Sequence, residues 1–222
     1  MLIVSATLFW GASVDRRLLI IGAGGHAAVA LDCAEKMGVY SEIALCANDV
    51  RERTEFLNRP LMSENEALGM ALNEGWGCFV AIGRNEVRKS YLQRLTSLGA
   101  NLETLIHPEA ILGAGSTVDV GCIVCARANV GPRATVHLGS IINTGADVEH
   151  DCMVGVCCHL SPGALMGGGS EIGEGSWMCI GSCCADHIRI CPGVTLGAGS
   201  TLLTNVEVPG VYVGSPARLV KV

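Results

Sequence analysis

Aromatic side chains make up only 4% of this 222-residue chain, too few to build stacking platforms for bases. Charge is sparse as well, at 16% of residues, and it leans acidic: the net charge is −6 and the isoelectric point lies near 5.5. A nucleic-acid surface wants a basic stripe, so no nucleic-acid partner is expected. The apolar start, Met1 to Trp10, is far too short to span a membrane. It has no basic n-region, and Arg16 and Arg17 lie on the wrong side for a signal peptide. Residues 1–16 therefore read as an N-terminal extension, and no membrane insertion is expected. What the chain does have is apolar bulk, half of its residues. That excludes a disordered protein and suffices for one or two domains with a proper core.

Glycine (29 residues) and cysteine (12 residues) are abundant instead, and both belong to one pattern. From Leu112 to Glu207 the chain divides into sixteen six-residue units without an insertion. The first place of each holds only Leu, Val, Ile, Met or Cys; the fifth holds only Ser, Ala, Cys, Val or Ile. A period of six puts no continuous apolar stripe on a helix and makes no ordinary hairpin. It suits a β-solenoid with three short flat strands per coil, so that three units close one coil. First-place aliphatics then point into a triangular prism, and the fifth place is small because it sits beside a corner. Cys122, Cys152, Cys158 and Cys184 fall on first or fifth places, where a free thiol acts as a small hydrophobe. Cys122 and Cys125 have metal-like spacing, but no second pair follows at a zinc-site gap, and no metal is expected. So many free thiols point to a reducing, cytoplasmic setting.

Ahead of the solenoid, residues 17–106 read as a small parallel α/β domain. A strand at Leu18–Ile21 runs into Gly22-Ala23-Gly24-Gly25-His26-Ala27. A helix at Ala28–Met37 and a strand at Glu42–Cys46 follow. Further on come a helix at Glu64–Leu72, a strand at Cys78–Ile82, a helix at Asn85–Leu98 and a last strand at Leu102–Ile106. His107-Pro108 reads as a hinge into the solenoid, residues 107–207, and residues 208–222 as a tail over its open end. The Rossmann-like glycine turn suits a phosphate at a helix N-terminus. The domain is too short for the second half that a redox dinucleotide needs, whereas a nucleotide-sugar diphosphate needs only one. Asn48 and Asp49, after the second strand, stand where polar groups read ribose or base. Within the solenoid, Glu149-His150-Asp151 must face outward. Flanking carboxylates hold the His150 imidazole in one tautomer and raise its basicity, which suits a general base. His159, half a coil later, belongs to a different edge. A zinc site of three converging histidines has no counterpart in these spacings.

Together these features resemble the sialic-acid O-acetyltransferase/PglD-like family of hexapeptide-repeat sugar acetyltransferases. The resemblance rests on GxGGHA from Gly22, His107-Pro108, Asn143-Thr144 followed by Glu149-His150-Asp151-Cys152, and Gly214-x-Pro216-Ala217-Arg218, and it runs over residues 18–222. It implies a left-handed parallel β-helix, a homotrimer and direct acetyl transfer from acetyl-CoA. The implied acceptor is the 4-amino group of a UDP-linked 4-amino-4,6-dideoxy sugar. It further implies His150 as general base with Asp151 behind it, and Gly24, Gly25, His26, Asn48 and Asp49 at the nucleotide sugar. The family often has two Asp where this chain has Asn48-Asp49. His159 and the backbone at Gly168, Ile180 and Ala198 are implied at acetyl-CoA. O-acetylation of sialic acid or another sugar hydroxyl, an NAD-linked enzyme and a non-catalytic trimeric scaffold are the alternatives.

Overall fold

A computed structural model describes residues 16–47 and 55–220. Asn48 and Asp49 lie outside the described residues. The N-terminal domain runs β1 (Arg16–Ile21), α1 (Gly25–Met37), β2 (Tyr40–Cys46), β3 (Glu55–Phe56), β4 (Arg59–Met62), α2 (Glu64–Asn73), β5 (Gly77–Val80) and α3 (Asn85–Ser97). Its sheet has the order β3-β4-β2-β1-β5, parallel except for the β3–β4 pair. β1 has a strand on either side, and after Arg16 and Arg17 it is an apolar run because both of its faces are covered; Leu18, Leu19 and Ile20 are fully buried. Gly22 ends it with φ +131°, and a Cβ there would stand 2.7 Å from the Ala81 carbonyl oxygen. Only glycine fits so close an approach.

The sheet hands over to the solenoid within one turn. Leu102 bridges Cys78 of β5, while Leu105–Ile106 already pair with Ile123–Val124 as the first rung. His107-Pro108 is therefore no hinge: the His107 N–H donates to the Val124 carbonyl at 2.9 Å, inside the ladder. Three parallel sheets follow, one per prism face. The first face holds rungs from 111–112 to 201–202, the second from 117–118 to 189–190, and the third from 105–106 to 194–196. Residues 210–214 and 217–219 extend the third face, and Ala217 is buried against the core.

The hexad phasing explains this fold residue by residue. The first-place side chains Val118, Val130, Val148, Leu160 and Met166 stack in one core. Fifth-place Ser140 donates to the Gly155 carbonyl at 2.7 Å and accepts from the Cys158 N–H at 3.0 Å. Fifth-place cysteines do the same work: the thiols of Cys122, Cys152 and Cys158 donate to carbonyls of the next coil at 3.1–3.2 Å. At these three places the thiol stands in for a hydroxyl. The fourth place is a left-handed corner, with Gly at 115, 121, 139, 145, 163 and 169. Five non-glycines share it: Arg127, Arg133, Asp151, Cys157 and His187.

Where the domains meet decides which edges stay open. The N-terminal domain packs over the third face, where Leu18, Ile20, Ala27 and Phe79 form one cluster with Leu105, Ile123 and Ile141. α3 seats on the edge between the second and third faces, with Leu92 filling the space above Gly121 and Gly139. That contact covers the edge between the second and third faces among the described residues. Among the described residues no helix is long and apolar enough to cross a membrane.

Candidate active site

His150 stands on the open edge between the first and second faces. Its side chain is 55% exposed, and its Nδ1 lies 2.8 Å from Asp151 Oδ2. Asp151 is gripped from its other side by Arg133, whose Nε and Nη2 each donate to one carboxylate oxygen at 2.6 Å. This fork, with the imidazole contact behind it, holds the Asp151 carboxyl down at about 2. An ionised carboxylate only accepts, so the hydrogen at this contact sits on Nδ1 and Nε2 carries a free lone pair. That tautomer is the one a base needs.

The next coil supplies a floor. A Cβ on Gly168 would lie 2.6 Å from His150 Nε2, so the imidazole rests directly over this glycine. Gly168 is buried, its N–H is taken by Asp186 Oδ1 at 3.0 Å and its carbonyl by the His187 N–H at 2.8 Å. Gly168 therefore seats the imidazole, beside its expected place along a cofactor groove. Cys152, two residues beyond His150, is the obvious rival nucleophile. It points into the prism, buried, and burial pushes its thiol up to about 11. That excludes a ready thiolate.

The structure gathers a second group at the seam between the domains. His26, in the first turn of α1, lies 6.4 Å ring to ring from His159, which stacks on Trp177 at 5.4 Å with only 4° between planes. Asn143 fixes the tautomer of His159. Its Oδ1 accepts from the Thr144 N–H at 2.8 Å, which leaves Nδ2 to face His159 Nε2 at 3.1 Å. Nε2 accepts, so Nδ1 carries the hydrogen on a ring that the Gly83 backbone also faces, while His26 Nε2 is buried with no partner among the described residues. Burial first, then neighbouring charge, lowers His26 to about 3 and His159 to about 4. Both are neutral at pH 7. Around the glycine turn, a Cβ at Gly24 or Gly25 would meet open space, so this backbone is accessible.

Ile180 and Ala198 share a third location, the edge between the third and first faces. Both are exposed, one coil apart. Within one chain the sequence-derived residues therefore fall in three places: His150, Asp151 and Gly168 on one edge, His26 and His159 at the seam, Ile180 and Ala198 on another edge. Arg133 and the floor role of Gly168 escaped the sequence reading. Each stands 18 residues, one coil, from its partner in the site, and that spacing was the available signal.

A Rossmann-like domain joined to a left-handed hexapeptide β-helix, with a carboxylate-backed histidine on an open edge, defines an acyltransferase architecture. The PglD N-terminal domain family matches residues 17–95. The acetyltransferase domain of PglB from Neisseria gonorrhoeae is 33% identical over 93% of this chain and 100% of that one, with a TM-score of 0.87. The same domain in complex with acetyl coenzyme A superposes with a TM-score of 0.88 at 32% identity, over the same shares of each chain. PerB from Caulobacter crescentus, in complex with CoA and GDP-perosamine, is 28% identical over 95% of this chain and 100% of that one, with a TM-score of 0.87. The chain belongs to the PglD-like sugar acetyltransferases. It is an enzyme of the acyltransferase class.

Proposed function

We propose that this protein transfers the acetyl group of acetyl-CoA to the 4-amino group of a UDP-linked 4-amino-4,6-dideoxy sugar. The observation that carries this reading is the free Nε2 of His150, opposite an Nδ1 bound to an ionised Asp151. Relatives of the same architecture support acetyl-CoA and a nucleotide-linked sugar as the two substrates: one is solved with acetyl coenzyme A and another with CoA and GDP-perosamine.

In the proposed mechanism His150 Nε2 takes the proton of the sugar amine as its nitrogen attacks the thioester carbonyl. The C–S bond then breaks, and the imidazolium returns the proton to the leaving thiolate. Asp151 balances the imidazolium charge throughout. No acyl-enzyme forms, so both substrates are bound together, and approximation itself supplies several kcal/mol. We place acetyl-CoA in a groove between subunits of a homotrimer, where the His150 edge of one meets the Ile180–Ala198 edge of the next. The nucleotide sits over Gly24, Gly25 and His26, with Asn48 and Asp49 at the base and ribose, and His159 close to the acetyl end.

The test is release of free CoA thiol from acetyl-CoA with UDP-linked and GDP-linked 4-amino-4,6-dideoxy sugars and with free and CMP-linked sialic acid. Turnover with the UDP-amino sugar, and product acetylated on nitrogen, is expected. Preference for the GDP sugar corrects the nucleotide, and turnover with sialic acid alone overturns the amine acceptor.

The floor under the imidazole gives a second expectation. Gly168 does not use a left-handed conformation, so Gly168→Ala folds, but its methyl occupies the place of Nε2. The half-exposed ring swings outward, and kcat falls roughly tenfold to 10²-fold, the scale of a 1 Å misplacement. Steady-state kinetics beside an unchanged melting temperature checks this.

A further inference from the structure

Arg88 of α3 is completely buried, an unusual place for a side chain that is always charged. Its Nε–H donates to the Gly139 carbonyl at 2.6 Å. Nη1 donates to Ile82 and Gly83 carbonyls at 2.9 and 3.1 Å. Nη2 donates to Asn85 Oδ1 at 2.7 Å and to the Cys157 and Cys158 carbonyls at 3.0 and 3.1 Å. Among the described residues it has no carboxylate partner. Its acceptors are five backbone carbonyls and one amide oxygen, drawn from both domains. Asn85 continues the tie to a further coil through the Gly175 and Ser176 carbonyls at 3.0 and 3.1 Å.

We infer that Arg88 is a positioning residue of the acceptor site, which sets the spacing and orientation of the facing His26 and His159 imidazoles. The geometry runs through the backbone. Cys158, whose carbonyl Arg88 holds, immediately precedes His159. The loop after β5, whose Ile82 and Gly83 carbonyls Arg88 also holds, backs the glycine turn that leads to His26: Ala81 O and Ile82 Cγ1 stand 2.7 and 3.6 Å from where a Gly22 Cβ would be. One guanidinium thus holds the backbone beside His159 and the loop that backs the turn leading to His26. A neutral side chain could tie two loops; a fork with five N–H groups reaches six acceptors.

The charge has a second consequence. The groups facing the pair are Phe79 from β5, the Gly83 backbone after it, Asn143 and Trp177 from the third face, and Arg88 from α3. The thiols of Cys122, Cys157 and Cys158 around Arg88 are raised by burial and stay neutral. Arg88 is the fixed charge acting on both imidazoles, and it adds to burial in keeping them neutral.

The kinetic half of the test rests on the proposed acceptor reading; the titration half does not. With ¹³Cε1-labelled histidine, neither His26 nor His159 in the wild-type chain titrates above pH 5. In Arg88→Met both midpoints rise, and KM for the nucleotide sugar rises at least tenfold with kcat within a few-fold. Arg88→Lys keeps the charge but reaches fewer acceptors, so it restores the titration and leaves KM at least fivefold raised. Lys89→Met, which removes the exposed interdomain pair with Glu174, moves neither. Unchanged midpoints and unchanged KM in Arg88→Met overturn the inference; if that variant does not fold, a wild-type KM in Arg88→Lys does so. Shifted midpoints with KM unchanged leave Arg88 as a charge beside the pair and overturn its positioning role; a wild-type chain that turns over no nucleotide sugar counts against the acceptor reading instead.

Discussion

His150→Ala lowers kcat by about 10²–10⁴-fold, the share that a positioned base contributes to acyl transfer. The protein stays folded, because the side chain is half in solvent and its removal opens no core cavity. Affinity for acetyl-CoA changes little, since no uniform binding interaction is lost. The bound substrates still approach one another in the variant, so a residual rate above the solution reaction remains. Initial rates of CoA release at saturating substrates, with CoA binding measured separately by calorimetry, distinguish lost chemistry from lost binding. Wild-type turnover removes His150 from the mechanism.

Asp151→Asn lowers kcat by about 10²–10³-fold, somewhat short of the ~10⁴ known for a buried triad aspartate, because this carboxylate is 42% exposed. The reason is directional. Arg133 presents donors to both oxygens of the acid, so an amide in its place turns its oxygen to the guanidinium. Its NH2 then faces His150 Nδ1, and the imidazole hydrogen moves to Nε2, the atom that must accept. Asparagine tolerates the left-handed backbone at this corner, φ 59° in the native chain, so the fold survives. The ¹⁵N shifts of the His150 ring report the tautomer, and kcat reports its cost. Since Asp151 titrates near 2 and its ionised form is the useful one, the native enzyme gains its support as pH rises through about 2. No limb of the rate profile between pH 5 and 9 belongs to it. A variant with the native tautomer and native rate contradicts the assignment.

Much of this architecture is visible in the residues themselves. The hexad phase places the rungs from 111–112 to 201–202, because one side chain in six must be aliphatic and another small, and these demands recur without a break from Leu112 to Glu207; the first rung, 105–106, lies before the pattern and reads as part of the α/β domain. The same phase, read at one coil of 18 residues, contains the site: Arg133 and Asp151 share the fourth place, His150 and Gly168 the third. Other features do not announce themselves. The β3–β4 hairpin is too short for an alternation signal, and its left-handed turn is built from Leu57 and Asn58 without a glycine. Arg88 sits in a helix rich in charged and polar residues, where any reader would leave it in solvent. Its burial depends on carbonyls from residues 50 to 70 positions away, which local sequence cannot express. His159 is separated from its role for the same reason, since the seam exists only once α1 meets the third face.

The central claim is that a sugar amine reaches Nε2 of His150 on the open edge. A crystal structure of the enzyme with CoA and its nucleotide 4-amino sugar measures this directly. The account predicts the amine nitrogen about 2.6–3.2 Å from His150 Nε2, with the CoA sulfur on the same edge. An amine bound on a different edge, with His150 facing only solvent, contradicts it.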